Sequence, residues 1–139
     1  MNGVEIRGLE ELQERMNTMI EALPEKRRSL HARLAVRLKE EVDDAIGMRI
    51  QDEEGHVRAW QAASVGSGGG YAAVRPQKGE TGPESPGAIT NYLENGHRIR
   101  GGQSRARAFR FYAEARSRAK EVALEEAERF AAEMGEVLS

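Results

Sequence analysis

Apolar residues recur at three- and four-residue steps through the first third of the chain, which places them on one face of a helix. Two such sets flank Pro24: Leu9, Leu12, Met16, Met19, Ile20 and Leu23 before it, and Leu30, Leu34, Leu38, Val42 and Ile46 after it. Pro24 either ends the first helix or starts the second, because proline fits the first turn of a helix but not its interior. The pattern predicts a helical region within residues 1–47, with Gly47 as its C-terminal stop and Val4–Ile6 as a short strand before it.

The middle of the chain has the pattern of a β-hairpin. Residues 57–65 suit a strand, with Trp60 on one side and the alternate positions, including Gln61, on the other. The glycine-rich segment Gly66–Gly70 interrupts the chain, and residues 71–75 then suit a returning strand. We therefore predict a hairpin over residues 57–76, with a loop that is longer than a tight two-residue turn.

Turn residues follow the hairpin, and a second long helical pattern closes the chain. Residues 77–87 contain two prolines and three glycines, which predicts an exposed, mobile loop. Residues 88–95 fit either a short helix or a third strand, and Asn95-Gly96 predicts a turn. From residue 108 to 138 an apolar stripe begins with Phe109 and Tyr112 and predicts one helix. The predicted fold is α+β, a single domain with helices at both ends and a small antiparallel sheet between them.

Composition limits the classes of protein that this chain can represent. The 139 residues suffice for one modest core, and the absence of cysteine excludes disulfides and thiolate metal sites. A formal net charge of −2 argues against a protein whose whole surface binds nucleic acid. No segment has the length and apolar character of a membrane span or a signal peptide, so we expect a cytoplasmic protein without membrane contact.

Charge is distributed unevenly along the last third of the chain. Eight basic residues and a single acid, Glu114, lie between Arg98 and Lys120, whereas six glutamates and Arg129 follow Lys120. Arginines in a glycine-broken loop can contact phosphates, and nearby aromatic rings can stack on bases. Phe109 and Tyr112 also fit the apolar stripe of the helix, which favours a core position. We favour a protein interface for this basic segment and keep nucleic-acid binding as the alternative.

Candidate catalytic or metal-binding groups are sparse. Glu94 and His97 are three residues apart and would share a helical face, but two ligands make a weak metal site. Gly66–Gly70 lacks the Lys-Ser/Thr pair of a phosphate-binding loop and precedes a strand pattern instead of a helix. The remaining carboxylates alternate with basic residues on helical faces, and no pair is marked as a general acid and base. We predict neither catalysis nor a cofactor; an enzyme using Glu94 and His97 stays as a second alternative and a free-standing helical regulator as a third.

At Trp60, Tyr71 and above all Tyr92-Leu-Glu-Asn-Gly-His-Arg98, the chain resembles a family of phage neck and tail-completion proteins, the gene-ten-product family of siphophages and related prophages. The order of parts is similar: an N-terminal helical region, a strand, a glycine hairpin, a Tyr-x-Glu-x-Gly-His element and a Phe-led helix. The opening segment from Ile6 to Leu12 also resembles the family's start. Two features depart from it: residues 77–87 look like an insertion, and Arg105-Ala-Arg-Ala108 replaces a proline before the last helix.

This resemblance implies a structural virion protein at the head–tail junction, made in the host cytoplasm and then built into the virion. Its partners would be copies of itself in a ring, with six subunits to match the tail, together with connector, adaptor and tail-tube proteins, and DNA passing through the ring. A cyclic ring needs two different complementary patches on each subunit, and the basic segment and the acidic C-terminal end have opposite signs. The candidate interface residues are Lys78, Glu80, Tyr92, Glu94, His97, Arg98, Arg100, Arg105, Arg107 and Arg110.

Overall fold

The computed structural model describes residues 9–98 and 105–138, and these form an α+β fold, as the pattern predicts. The helices are α1 (Leu9–Arg49), α2 (His56–Trp60), α3 (Pro86–Asn95) and α4 (Phe111–Leu138). The strands are β1 (Gln61–Val65), β2 (Ala72–Pro76), β3 (His97–Arg98) and β4 (Arg105–Ala106). β1 pairs antiparallel with β2, and β3 pairs antiparallel with β4. The predicted strand Val4–Ile6 lies outside the described residues.

The N-terminal helical region is one helix of 41 residues, so the prediction of a break at Pro24 was wrong. Proline at this position leaves the carbonyl of Ile20 without its helical donor. Both Pro24 and Ile20 are exposed, so water can bind that carbonyl and the helix continues. The predicted stop at Gly47 is also wrong, since α1 ends at Arg49.

The hairpin is shorter than predicted, because its first residues form α2. The carboxylate of Asp52 accepts hydrogen bonds from the backbone N–H groups of Val57 (3.1 Å) and Arg58 (3.1 Å). These are donors of the first helical turn, so the carboxylate stabilises a helix where the apolar alternation indicated a strand. The antiparallel register of the hairpin then runs from the pair Gln61–Pro76 to the pair Val65–Ala72.

Asp52 gives a pH-dependent prediction. Burial acts to raise the pKa of Asp52, but the hydrogen bonds that it accepts from Arg58 and Val57 outweigh burial, and the pKa lies below its ordinary value. A lowered pKa means that the charged form stabilises the folded state above the ordinary pKa of aspartate, and that this stabilisation is lost as the pH falls through the lowered value. We expect Asp52→Asn to reduce the free energy of unfolding by about 1–2 kcal/mol at neutral pH.

Urea titrations between pH 7 and pH 3 measure this effect. The difference between wild type and Asp52→Asn should shrink as the pH falls, whereas Glu53→Gln, at an exposed neighbouring position, should differ little from wild type throughout. A difference that stays constant down to pH 3 would contradict the role of the Asp52 charge.

The glycine loop of the hairpin packs against α1. Gly69 is buried, and a Cβ atom at this position would lie 2.9 Å from the Cα atom of Arg28. A Cβ atom at Gly66 would lie 2.0 Å from the ring of Tyr71. The glycines therefore permit close approach within the fold.

α1 and α4 pack antiparallel and form the core with one face of the hairpin. Phe111 and Ile46 are fully buried, and Val42, Ala45 and Ala115 complete the central cluster. The C-terminal helix begins at Phe111, three residues later than predicted, because Arg110 has a left-handed backbone (φ 54°) that ends any helix before it. The buried face consequently differs from the predicted stripe: Phe111, Ala115, Val122 and Glu126 are buried, whereas Ala123 and Ala127 are exposed.

Candidate interface

Glu94, a candidate interface and catalytic residue, is engaged inside the molecule. Its side chain is buried, and its carboxylate accepts hydrogen bonds from the backbone N–H groups of Tyr112 (2.8 Å) and Ala113 (3.1 Å). These are free donors at the start of α4, where the helix dipole also favours a negative charge. Glu94 is therefore the N-terminal cap of α4, supplied from α3. This role has no local sequence signal, since cap and helix are 18 residues apart.

A buried polar network lies beside this cap. The hydroxyl of Tyr112 donates to the amide oxygen of Gln61, and the amide nitrogen of Gln61 donates to the hydroxyl of Thr90 (3.1 Å). Gln61 and Thr90 are both almost completely buried. Burial raises the pKa of the Tyr112 hydroxyl above its ordinary range, so the hydroxyl stays a donor at neutral pH. The network ties α3, β1 and α4 together.

His97 does not join Glu94. Its ring lies 5.1 Å from the ring of Tyr92, centroid to centroid, and both side chains are exposed at the C-terminal end of α3. Across residues 9–98 and 105–138, no group of three or more His, Cys, Asp or Glu side chains is arranged to hold a metal ion. The Tyr92–His97 pair is instead a small exposed aromatic surface.

Gly96 connects α3 to the pair of strands β3 and β4. Its backbone (φ 74°, ψ 172°) lies in a region that is open only to glycine, and its N–H donates to the carbonyl of Tyr92 (2.8 Å). A Cβ atom here would lie 2.5 Å from the carbonyl oxygen of Ala106. The turn therefore requires glycine for two separate reasons.

We expect Gly96→Ala to lower the free energy of unfolding by about 2–3 kcal/mol, through backbone strain and the clash with Ala106. The matched control is Gly68→Ala, because Gly68 also has a positive φ (69°) but no atom would contact its Cβ. Gly68→Ala should lower the free energy by about 1 kcal/mol. Equal losses in the two variants, measured by urea unfolding, would show that neither the glycine-only backbone nor the clash at Gly96 adds to the ordinary cost of a positive φ.

The predicted basic interface residues fall into three groups. Arg100 lies outside the described residues, and the backbones of Arg98 and Arg105 pair with each other in the short sheet. The guanidinium of Arg107 lies 5.7 Å from the centre of the Phe109 ring, and Arg110 donates to the side chain of Asn95 (3.3 Å). Arg107 and Arg110 are exposed near His97, so the structure brings these three side chains to one end of the molecule.

Lys78 and Glu80 lie apart from that group, in the exposed segment between β2 and α3. This segment ends at Ser85, which is buried and whose hydroxyl accepts a hydrogen bond from the N–H of Ala88 (3.2 Å). Ser85 is the N-terminal cap of α3, and Pro86 occupies its first turn. The Ser-Pro pair thus sets the start of α3, where the sequence had left helix and strand open.

The three aromatic residues at positions 109, 111 and 112 are not free to stack on bases. Phe111 is fully buried, Tyr112 is bonded to Gln61, and Phe109 packs against the core. The basic side chains of α4 also differ in availability. Arg118 pairs with Glu41 (3.0 Å) and Glu114 (3.0 Å), whereas Arg116 and Lys120 are exposed.

The acidic end of α4 is partly neutralised by α1. Arg37 pairs with Glu125 (2.7 Å) and Glu126 (3.4 Å), and Arg33 pairs with Glu126 (3.3 Å). Arg33 also lies 3.8 Å from Glu133. Since Glu126 is buried beneath both arginines, these glutamates serve the α1–α4 contact within one chain. The sequence showed both charge sets but not that they meet.

Another acidic surface is the N-terminal part of α1, residues 9–25, which we name the arm. Among the described residues, the ion pairs between α1 and α4 begin at Arg33, and the glycine loop of the hairpin contacts α1 at Arg27 and Arg28. α4 continues to Leu138, so its end lies beside the last residues of the arm, and the earlier part of the arm extends beyond α4. Its apolar stripe is exposed at four large side chains: Leu12, Met16, Ile20 and Leu23.

An open apolar groove lies on the body, between β2 and α4. Its floor is Leu38 and Val42 of α1, and its walls are residues 72–74 of β2 and Tyr112, Ala115, Arg116 and Ala119 of α4. Its volume is about 230 Å³. Four alanines line it, at positions 72, 73, 115 and 119, so the walls are low and a large side chain from outside can enter.

The comparisons with known proteins give no relative for this chain. No family model, no curated protein and no solved structure matches it. Among the helices that the structure describes, none is both long and apolar enough to cross a membrane.

Proposed function

We propose that this protein is a structural component of the phage head–tail junction, acting in tail completion or as part of the neck, and that it works by ring assembly and docking without catalysis. The observation that carries the proposal is the arm, a helical extension with four exposed large apolar side chains in a row. An exposed apolar stripe of this length on a small domain is typical of a surface that another protein covers.

Two further features support assembly over catalysis. Glu94, the best candidate for an acid or base, is committed to the start of α4 by two backbone hydrogen bonds. The order of helix, glycine hairpin, Tyr-Leu-Glu-Asn-Gly-His element and Phe-led helix is also that of the neck and tail-completion proteins which the sequence resembles. A ring built from this chain would use two different faces of each subunit.

Electron microscopy of the protein mixed with purified tails and with tailless heads tests this proposal, alongside the mass in solution by light scattering. We expect rings, or added density at the head–tail junction. The matched control is the variant Met16→Glu with Ile20→Glu, which places charge on the exposed stripe and should remove that density while leaving the helical circular dichroism unchanged. A protein that binds neither tails nor heads would overturn the proposal.

Nucleic-acid binding remains the second candidate, favoured by the exposed side chains of Arg107, Arg110, Arg116 and Lys120. It predicts retention on DNA that falls steeply with salt. The variant Arg107→Glu with Arg110→Glu should abolish that retention if DNA is the ligand. The burial of Phe111 and the bond between Tyr112 and Gln61 argue against base stacking on these two rings, which leaves phosphate contacts and the exposed Tyr92 ring for any such binding.

A further inference from the structure

The arm cannot fold back onto its own body. α1 is continuous from Leu9 to Arg49, and the floor of the groove at Leu38 lies 13 residues beyond the end of the arm, about 20 Å along the helix axis. Reaching its own groove would require α1 to break. The arm of one chain therefore cannot fill the groove of the same chain.

Shape and charge match between the arm and the groove. The arm offers large side chains at helical spacing, including Met16, Ile20 and Leu23, whereas the groove is walled mainly by alanines. An amphipathic helix that lies in an apolar groove uses anchors at this spacing. The small alanine side chains of the groove leave room for the large side chains of the arm. The two surfaces can therefore pack closely, as the ridges of one helix pack into the grooves of another.

The charges have opposite signs. The arm has five glutamates and one arginine, namely Glu10, Glu11, Glu14, Glu21, Glu25 and Arg15. The rim of the groove carries Arg116 and, one helical turn later, Lys120, both exposed. Within the described ranges, no carboxylate lies at ion-pair distance from Arg116 or Lys120. Most glutamates of the arm lie on its side away from the stripe, so they act mainly by longer-range attraction.

We propose that the arm of one copy of this protein lies in the groove of the next copy. Two arms side by side would bring two acidic segments together. An arm in the groove instead places its glutamates near the basic residues Arg116 and Lys120. Because arm and groove are different surfaces of the same chain, the contact is head-to-tail, and repeating it closes a ring or extends a filament. The inference rests on the ring assembly in the proposed function and identifies the surfaces that would form the ring.

The absence of cysteine from the chain permits a direct test by disulfide cross-linking. The single-cysteine variants Met16→Cys and Ala119→Cys are mixed and oxidised at the highest concentration at which they stay in solution. One variant carries a tag, so that mixed and self-linked dimers differ in mass. We expect the mixed dimer to predominate, and circular dichroism confirms that each variant keeps its helices.

Two controls make the result specific. Ala62→Cys, on the exposed side of β1, replaces Ala119→Cys and should give little mixed dimer with Met16→Cys. Adding Arg116→Glu and Lys120→Glu to the Ala119→Cys chain should lower the yield of mixed dimer about tenfold. A predominance of dimers between two Met16→Cys chains would overturn the proposal in favour of paired arms, and no cross-link above the Ala62→Cys control would also overturn it.

The same samples separate this inference from the proposed function. Density at the head–tail junction without the mixed cross-link would leave the virion role standing and remove the arm-in-groove contact. The mixed cross-link without binding to heads or tails would leave the arm-in-groove contact standing and remove the virion role. The protein would then be a self-assembling protein with another role.

Discussion

Phe111→Ala is expected to lower the free energy of unfolding by about 3–5 kcal/mol, the largest effect of any single substitution proposed for this chain. Phe111 is fully buried at the start of α4 and packs with Ile46, Ala45 and Ala115. Truncation leaves a cavity at the point where α1 and α4 meet, and the rigid backbone of two long helices cannot collapse to fill it. A small domain has a total stability of only about 5–15 kcal/mol, so this variant should be close to unfolding.

The matched control for Phe111→Ala is Phe109→Ala. The substitution Phe109→Ala removes the same number of atoms. The ring of Phe109, however, is only half-buried, and the residue lies before α4. We expect a loss of about 1–2 kcal/mol for this variant. Urea unfolding followed by circular dichroism compares the two. A larger loss for Phe109→Ala would mean that the aromatic which leads the sequence pattern, and not the one buried in the structure, holds the core.

Glu94→Ala is expected to lower the free energy of unfolding by about 3 kcal/mol, because it removes two hydrogen bonds from a buried carboxylate to backbone N–H groups. The N–H groups of Tyr112 and Ala113 would be left without their acceptor at a helix start that other side chains cover. Glu94→Gln retains one acceptor oxygen but loses the charge that complements the helix dipole, and should lose about half as much. Glu128→Ala, at an exposed position of α4, should be near neutral.

This series also separates the two interpretations of Glu94. A capping role predicts that Glu94→Ala is less stable than Glu94→Gln, and that Glu94→Gln is less stable than wild type. It also predicts that ring or tail binding recovers at a lower temperature at which the variant folds. A catalytic role predicts that Glu94→Gln keeps full stability. Equal stability of wild type and both variants would contradict the capping role.

The helix and hairpin patterns could be predicted because they depend on local spacing. The apolar steps on either side of Pro24 indicated helix on both sides, and the alternation around the glycine loop indicated a hairpin, each within one or two turns of the observed element. The predicted boundaries were wrong where a side-chain hydrogen bond or a backbone conformation, which the apolar pattern does not encode, decided them. Asp52 turned residues 56–60 into α2, and the left-handed backbone of Arg110 moved the start of α4 to Phe111.

The sequence predicted the residues of the candidate interface less completely than it predicted the helices and the hairpin. Tyr92, His97, Arg107 and Arg110 are exposed, as an interface requires, whereas Glu94 is buried and Arg100 lies outside the described residues. The acidic end of α4 looked free in the sequence, but it meets Arg33 and Arg37 of α1. The sequence also showed the apolar stripe of the arm, although only the structure reveals that Leu12, Met16, Ile20 and Leu23 are exposed.

The sequence alone determined that this is an α+β chain with two long amphipathic helices and a glycine hairpin, because periodicity and turn chemistry are local properties. Only the tertiary structure decided that Pro24 lies within a continuous α1, that Phe111 fills the core, and that Glu94 caps α4. The last two depend on residues that are far apart in the chain and meet when the helices pack, whereas α1 continues through Pro24 because that turn is exposed. The same packing leaves the arm and the groove exposed, and so defines the surfaces through which this protein can assemble.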